Sequence, residues 1–288
     1  MKLVTYQDGI VTAVGAVTER GIVNLSQAAP TMLKLIYMGD AGLALARKIV
    51  ETASHTTPLA NARLLAPIPT PPRNVMCLGL NYAAHADESN RAKGIQGAEP
   101  DTPIVFTKAT TAVSGPTDPI PYNANISTQI DWEVELAVII GKRGKNIAKD
   151  EAMQYVYGYM VLNDVSTRDY QLRGKQYFKG KSMDGHCPTG PWLVTKDELP
   201  DPHNLAITCR VNGVVKQNGR TSQMIFDIPT IIEYLSRGMT LLPGDIIATG
   251  TPEGVGFART PPEYLRPGDI LESEIEGIGV LRNEVKNE

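Results

Sequence analysis

Asp131-Trp132-Glu133-Val134-Glu135-Leu136-Ala137-Val138-Ile139-Ile140-Gly141 is the stretch that decides how this 288-residue chain is read. Its second half is a continuous apolar run, the pattern of a strand buried on both faces. Side chains alternate along a strand, so Glu133 and Glu135 share a face and enter that buried environment together. A second apolar strand, Tyr157 to Leu162, ends in Asn163-Asp164. Carboxylates beside buried strands are costly unless something positive compensates them. One divalent cation compensates two or three at once, which points to a metal site on Glu133, Glu135 and Asp164, and to an enzyme. An isolated Glu-x-Glu more often marks a solvated strand face; the buried continuation and Asp164 argue for the metal. All-oxygen ligation suits Mg²⁺ or Mn²⁺ and not zinc. Asp131 lies on the same face, but a solvent-exposed strand start accounts for it.

Working outward, residues 1–65 differ from the rest. Lys2 to Tyr6, Val11 to Val14 and Gly21 to Leu25 read as short strands with glycine turns, and Asp40 is placed to N-cap an amphipathic helix through Leu43, Leu45, Ile49 and Val50. This predicts a small N-terminal domain. Residues 66–73, with four prolines, read as a semi-rigid linker. Residues 74–288 are strand-rich. The strands are Val75 to Leu80, Ile104 to Lys108, Trp132 to Ile140, Tyr157 to Leu162, Trp192 to Thr195, Leu205 to Val211 and Asp245 to Thr249. Asn212-Gly213 marks a hairpin. Helices are expected at Asp150 to Tyr155, Ser166 to Leu172 and Ile228 to Leu235. The fold class is therefore predominantly β with a few helices (α+β), mostly antiparallel.

A net charge of −3, with Lys and Arg dispersed, excludes a nucleic-acid or anionic-membrane surface. No apolar stretch reaches membrane-spanning length and no leader pattern opens the chain. Three separated cysteines, Cys77, Cys187 and Cys209, read as free thiols of a cytoplasmic protein.

Further candidates lie outside the acidic pair. Glu88 follows His85 by three residues, so on a helix the carboxylate can orient the imidazole; a surface His–Glu pair is the plainer meaning. Residues 85–103 are polar and punctuated by Gly94, Gly97 and Pro100, which suits a surface loop or a lid; the histidine at its start favours the lid. Lys181, between Gly180 and Ser182, is either solvated or near an anionic substrate. His186 adjoins Cys187, but adjacent side chains rarely face one another, so a structural role is expected. Gly250-Thr251-Pro252-Glu253-Gly254-Val255-Gly256 breaks the order of a nucleotide loop and reads as a tight turn whose amides and Thr251 hydroxyl can hold a carboxylate.

Taken together and in order, these motifs resemble the fumarylacetoacetate hydrolase family over residues from about 75 to 285. The resemblance rests on Leu78-Gly79-Leu80-Asn81-Tyr82-Ala83-Ala84-His85, Asp131-Trp132-Glu133-Val134-Glu135, Asn163-Asp164-Val165-Ser166-Thr167-Arg168-Asp169, Gly180-Lys181-Ser182-Met183-Asp184, Pro243-Gly244-Asp245 and Thr249-Gly250-Thr251-Pro252-Glu253-Gly254. It implies a mixed β-sandwich roll, a homodimer, and Mg²⁺ or Mn²⁺ on Glu133, Glu135 and Asp164. It further implies His85 and Glu88 as a catalytic pair on a mobile lid, Lys181 as an active-site lysine, and substrate contacts from Gln171, Thr251 and Lys108. Two departures are visible. Leu78 stands where the animal-type enzymes carry a further metal aspartate, and Asp184-Gly185-His186 replaces the Asp-Thr-Phe of many relatives. The implied activity is metal-dependent cleavage of a C–C bond in a 2,4-diketo acid of acylpyruvate or fumarylpyruvate type, giving pyruvate and a carboxylic acid. The alternatives are oxaloacetate decarboxylation, isomerisation or hydration of a related oxo acid, and a non-catalytic metal-stabilised binding protein.

Overall fold

The computed structural model describes residues 1–95 and 99–288. The fold is mixed α+β, as expected. Among the described residues the largest sheet has eleven strands, and its main path runs Gly21–Asn24, Val11–Thr18, Lys2–Asp8, Cys187–Thr195, Val156–Asn163, Val134–Ile140, Ile246–Ala248, Val75–Gly79 and Ile104–Lys108. A second, five-stranded sheet is built from Val214–Arg220, Ala206–Val211, Ile270–Ile275, Gly279–Asn287 and Ile120–Tyr122. Most pairings are antiparallel; Ile246–Ala248 runs parallel to Val75–Gly79.

Val134–Ile140 is the spine of the molecule, with every residue buried. Its alternation sends Leu136, Val138 and Ile140 into a core shared with the second sheet and the Ile228–Ser236 helix. Ala137 and Ile139 enter the opposite core, under the Met32–Tyr37 and Gly39–Thr52 helices. A strand with apolar neighbours on both sides is what the unbroken hydrophobic run requires. Asn212 and Gly213 turn the expected hairpin with φ of 53° and 76°, the left-handed conformation a two-residue turn needs.

Three local readings change. The sheet pairing of Val134–Ile140 begins after Glu133, so Trp132 and Glu133 form a short break behind Ile130–Asp131. Ser166 and Thr167 are a short strand paired with Ile130–Asp131, and the helix starts only at Arg168, whose N–H donates to Gln129 O. Met38 takes the N-cap position expected of Asp40, which lies in the helix's first turn, where its charge still opposes the dipole.

The segment 1–65 is joined to the remainder by main-chain pairing. Lys2–Asp8 runs antiparallel to Cys187–Thr195, with Leu3 opposite Leu193, and both leucines are fully buried in the same core as Ala137 and Ile139. Leu3→Ala should therefore destabilise the whole molecule by about 2–5 kcal/mol, as for other buried leucines. Urea unfolding followed by tryptophan fluorescence and by far-UV circular dichroism should shift as one transition. Two separated transitions would mean that residues 1–65 unfold on their own.

Candidate metal centre and active site

Strand register assembles the acidic cluster. Val134 stands opposite Asn163, and Asp164 N–H donates to Glu133 O at 2.8 Å, so the two carboxylates that end neighbouring strands meet. Glu135 joins them from the next position on the Glu133 side. One oxygen from each of Glu133, Glu135 and Asp164 lies within 4.8 Å of the others, and all three residues are buried. Such an oxygen set fits a hard divalent cation.

Cations of the chain's own surround this set. Lys181, 1% exposed, donates to Glu133 Oε2 at 2.6 Å and to Asp164 Oδ2 at 2.7 Å. Lys108, fully buried, donates to Asp164 Oδ1 at 2.6 Å and to Val165 O. Burial opposes ionisation of Glu133, yet Lys181 and Arg168 hold its carboxyl far below the usual range. Glu135 lies on the other side of the balance: burial first, then Asp164 and Glu133, push its carboxyl well up, against Lys181 and the Gly250 N–H.

Arg168 is the site residue that motif reading passed over. It is 2% exposed; Nε donates to Asp131 Oδ2, and Nη1 to Gln171 Oε1, with Glu133 Oε1 at 2.7 Å. Its buried Nη2 has no partner among the described residues. Asp131 is accordingly not a solvated strand start. It is fully buried, and besides Arg168 it accepts from the N–H groups of Trp132, Gly256 and Phe257. The available signal was Asp131 and Arg168 together, two charges inside otherwise buried segments.

The 85–103 segment opens as the helix Ala83–Ala92; Gly97 falls within 96–98, outside the described residues. His85, on that helix, is 5% exposed, and its Nδ1 lies 2.8 Å from Glu88 Oε1. A carboxylate can only accept, so Nδ1 carries a proton, and in the neutral imidazole Nε2 holds the lone pair. Glu88 in turn accepts from the N–H groups of Gly254 at 2.9 Å and Val255 at 3.4 Å. The Gly-rich loop thus does hold carboxylates, but they are the protein's own: Gly250 N–H serves Glu135, Gly254 and Val255 serve Glu88, and Gly256 and Phe257 serve Asp131.

His85, Glu133, Glu135, Arg168, Gln171, Lys181 and Thr251 line one cavity. The Thr251 hydroxyl donates to Val134 O and accepts from Gln217 Nε2, so its hydrogen is committed to the framework. Lys108 lies behind Asp164 and is not among the cavity-lining groups. His186 and Cys187 make no reactive pair: His186 Nε2 contacts Pro121 O, burial lowers the His186 pKa to about 4, and burial pushes the Cys187 thiol up to about 12. All three cysteines are buried free thiols.

The fumarylacetoacetate (FAA) hydrolase C-terminal family model matches residues 74–286. The chain belongs to the fumarylacetoacetate hydrolase family. It is similar to the oxaloacetate tautomerase YisK of Bacillus subtilis, 43% identical over 275 residues that cover 93% of this chain and 90% of that one. A mitochondrial oxaloacetate tautomerase of Homo sapiens is 44% identical over 92% of this chain and 84% of its own length. Among solved structures, the fumarylacetoacetate hydrolase of Exiguobacterium antarcticum superposes with a TM-score of 0.86 at 39% identity over the full length of both chains. Maleylpyruvate hydrolase of Sphingobium, in complex with manganese(II) and pyruvate, gives 0.80 at 30% identity, covering 100% of this chain and 99% of that one. Among the described residues no helix is long and apolar enough to cross a membrane.

Two measurements follow from this geometry. Glu135→Gln should lose most Mn²⁺ affinity, by about tenfold or more, in titration calorimetry; unchanged affinity would exclude Glu135 as a ligand. His186 is buried neutral, so protonation opposes folding. Its contribution is complete above its ordinary pKa of 6.5 and is lost as pH falls toward about 4. His186→Phe should therefore flatten the fall in stability across that window, seen as about one fewer proton taken up on unfolding. An equally steep fall in the variant would place the acid sensitivity elsewhere.

Proposed function

We propose that this chain is a Mg²⁺- or Mn²⁺-dependent enzyme that interconverts the keto and enol forms of oxaloacetate or a close 2-oxo acid. The carrying observation is His85, oriented by Glu88 and lining the same cavity as the carboxylate triad. Relatives named oxaloacetate tautomerases at 43–44% identity over more than nine-tenths of the chain support this choice of reaction. It belongs to the isomerase alternative drawn from the sequence, and it displaces C–C hydrolysis as first choice.

Glu133, Glu135 and Asp164 would hold the metal, which when bound supplies Lewis-acid polarisation of the substrate's 2-oxo group. The chain's own groups handle the proton. Tautomerisation moves one hydrogen between C3 and the 2-oxo oxygen, with no net change of atoms or charge. His85 Nε2 takes the C3 proton, because Nδ1–H is already donated to Glu88. Glu88 stabilises the resulting imidazolium, and the amides of Gly254 and Val255 hold Glu88 in place. Nε2 then gives the proton to the 2-oxo oxygen, which restores the neutral imidazole and completes the enol. Lys181 and Arg168 bring positive charge to the oxygen side, where negative charge develops. Gln171 steadies Arg168.

Hydrolysis of an acylpyruvate stands second. It needs the same oriented histidine to activate water, and the likeness to maleylpyruvate hydrolase, at 30% identity, supports it less strongly. Oxaloacetate decarboxylation shares the activated 2-oxo group but requires no general base.

Stopped-flow decay of enol-oxaloacetate absorbance with the Mn²⁺-loaded protein tests the proposal. His85→Ala should slow it by about 10²–10⁴, the usual range for loss of a positioned base. Faster release of pyruvate from acetylpyruvate than equilibration of enol-oxaloacetate by the wild type would return hydrolysis to first place.

A further inference from the structure

Three cationic side chains line the cavity, and two are already engaged. Lys181 is held by Glu133 and Asp164, and Arg168 by Asp131, Glu133 and Gln171. The third is Lys93. Among the described residues its ammonium has no carboxylate within ion-pair distance, and the residue is exposed at the cavity mouth.

Lys93 follows His85 and Ser89 at successive intervals of four on and just beyond the Ala83–Ala92 helix, and all three line the cavity. Residues so spaced share a flank, and helical side chains lean toward the N-terminus. Lys93 therefore begins about 12 Å beyond His85 along the axis and reaches back over the opening on its four-carbon stem. Partial burial lowers its pKa, and repulsion from Arg168 and Lys181 adds to this while Glu133 opposes it. The ammonium thus stands in the field of the cavity's other charges and is not a distant surface group.

We propose that Lys93 receives the distal carboxylate of a 2-oxo acid bearing a second carboxylate at C4, and so selects dicarboxylates over monocarboxylates. This rests on the reading above that the cavity takes a 2-oxo acid. The head of such an acid, its C1 carboxylate and 2-oxo group, lies at the buried carboxylate cluster, and C3 faces His85. The C4 carboxylate then points to the mouth. There the only cavity cation without a carboxylate partner among the described residues is Lys93. Because it caps the helix that carries His85, engaging this carboxylate also draws the base over C3. Solvent at the mouth screens the pair, so selectivity of about tenfold is expected.

Binding of L-malate and of its 4-methyl ester to the Mn²⁺-loaded protein, followed by titration calorimetry, isolates the distal charge without turnover. Wild type should bind malate about tenfold more tightly than the ester. Lys93→Met should abolish that preference by weakening malate alone, leaving the ester within about twofold, and Lys93→Arg should retain it. Equal weakening of both ligands, an unaltered preference in Lys93→Met, or a wild type that binds neither acid overturns the proposal. Preference present in wild type and lost in Lys93→Met, in a protein that leaves enol-oxaloacetate unchanged, would sink the tautomerase reading and keep the assignment of Lys93.

Discussion

The architecture turns on compensating buried negative charge. Asp131, Glu133, Glu135 and Asp164 are each at most 5% exposed, and Lys108, Arg168 and Lys181 are the cations in direct contact with them. Four carboxylates against three cations leave one charge uncovered. Burial first, then Asp164 and Glu133, raise the Glu135 pKa, which favours a proton on this carboxyl while no further cation is near. A divalent ion would displace the proton and leave the cluster with a positive excess, the sign that attracts an anionic oxo acid. Buried charges are tolerated only when paired and hydrogen-bonded; Asp131, Glu133 and Asp164 each meet a cation, whereas Glu135 has, among the described residues, the Gly250 N–H alone.

The loop from Gly250 to Phe257 ties the remaining parts to that cluster. Its amides bind Glu135, Glu88 and Asp131, so one backbone segment fixes a candidate metal ligand, the carboxylate behind the base, and the anchor of Arg168. Glycine is required where the backbone turns tightest. Gly254 has φ of +103°, and a Cβ there would run into Lys216 O; a Cβ on Gly256 would strike Glu263 O and crowd Asp131. Asn81 secures the start of the Ala83–Ala92 helix. Its Nδ2 donates to Thr249 O and Phe226 O while Oδ1 accepts from Phe226 N–H, so the approach to His85 is clamped to the strand that feeds the loop.

What was legible in the sequence was local or periodic. The apolar run of Val134–Ile140 announced a strand buried on both faces, and the carboxylates at its start and after Asn163 announced a cation site. What was not legible depended on register between distant segments. Asp131 looked solvated because its partner, Arg168, lies on a different element and reaches it only once Ser166–Thr167 pairs with Ile130–Asp131. The glycine loop was correctly read as a carboxylate holder, but periodicity carries no information on whose carboxylate. Thr251 illustrates the same limit: its hydroxyl is drawn to Val134 O because the Ile246–Ala248 strand runs beside Val134–Ile140. The proline-rich stretch at 66–73 likewise gave no hint that Lys2–Asp8 pairs with Cys187–Thr195 beyond it.

Under the proposed function, this arrangement would let one framework serve several reactions of 2-oxo acids. The buried half, with its carboxylates, Lys181 and Arg168, would act on the head group that all such acids share, and its geometry is set by the central strands. The other half is carried on the ten-residue Ala83–Ala92 helix and its C-cap, which bring His85 and Lys93 to the cavity. In the proposed pose, substituents beyond C3 would meet that helix and the cavity rim. On that reading a change there would alter which acid fits, and whether the base meets carbon or water, without disturbing a charge balance that the core cannot give up. Under the proposed function, selectivity would be set at the exposed Lys93 end of that helix, where a substitution costs little stability, while activation of the oxo group would stay in the part where any unpaired charge is expensive.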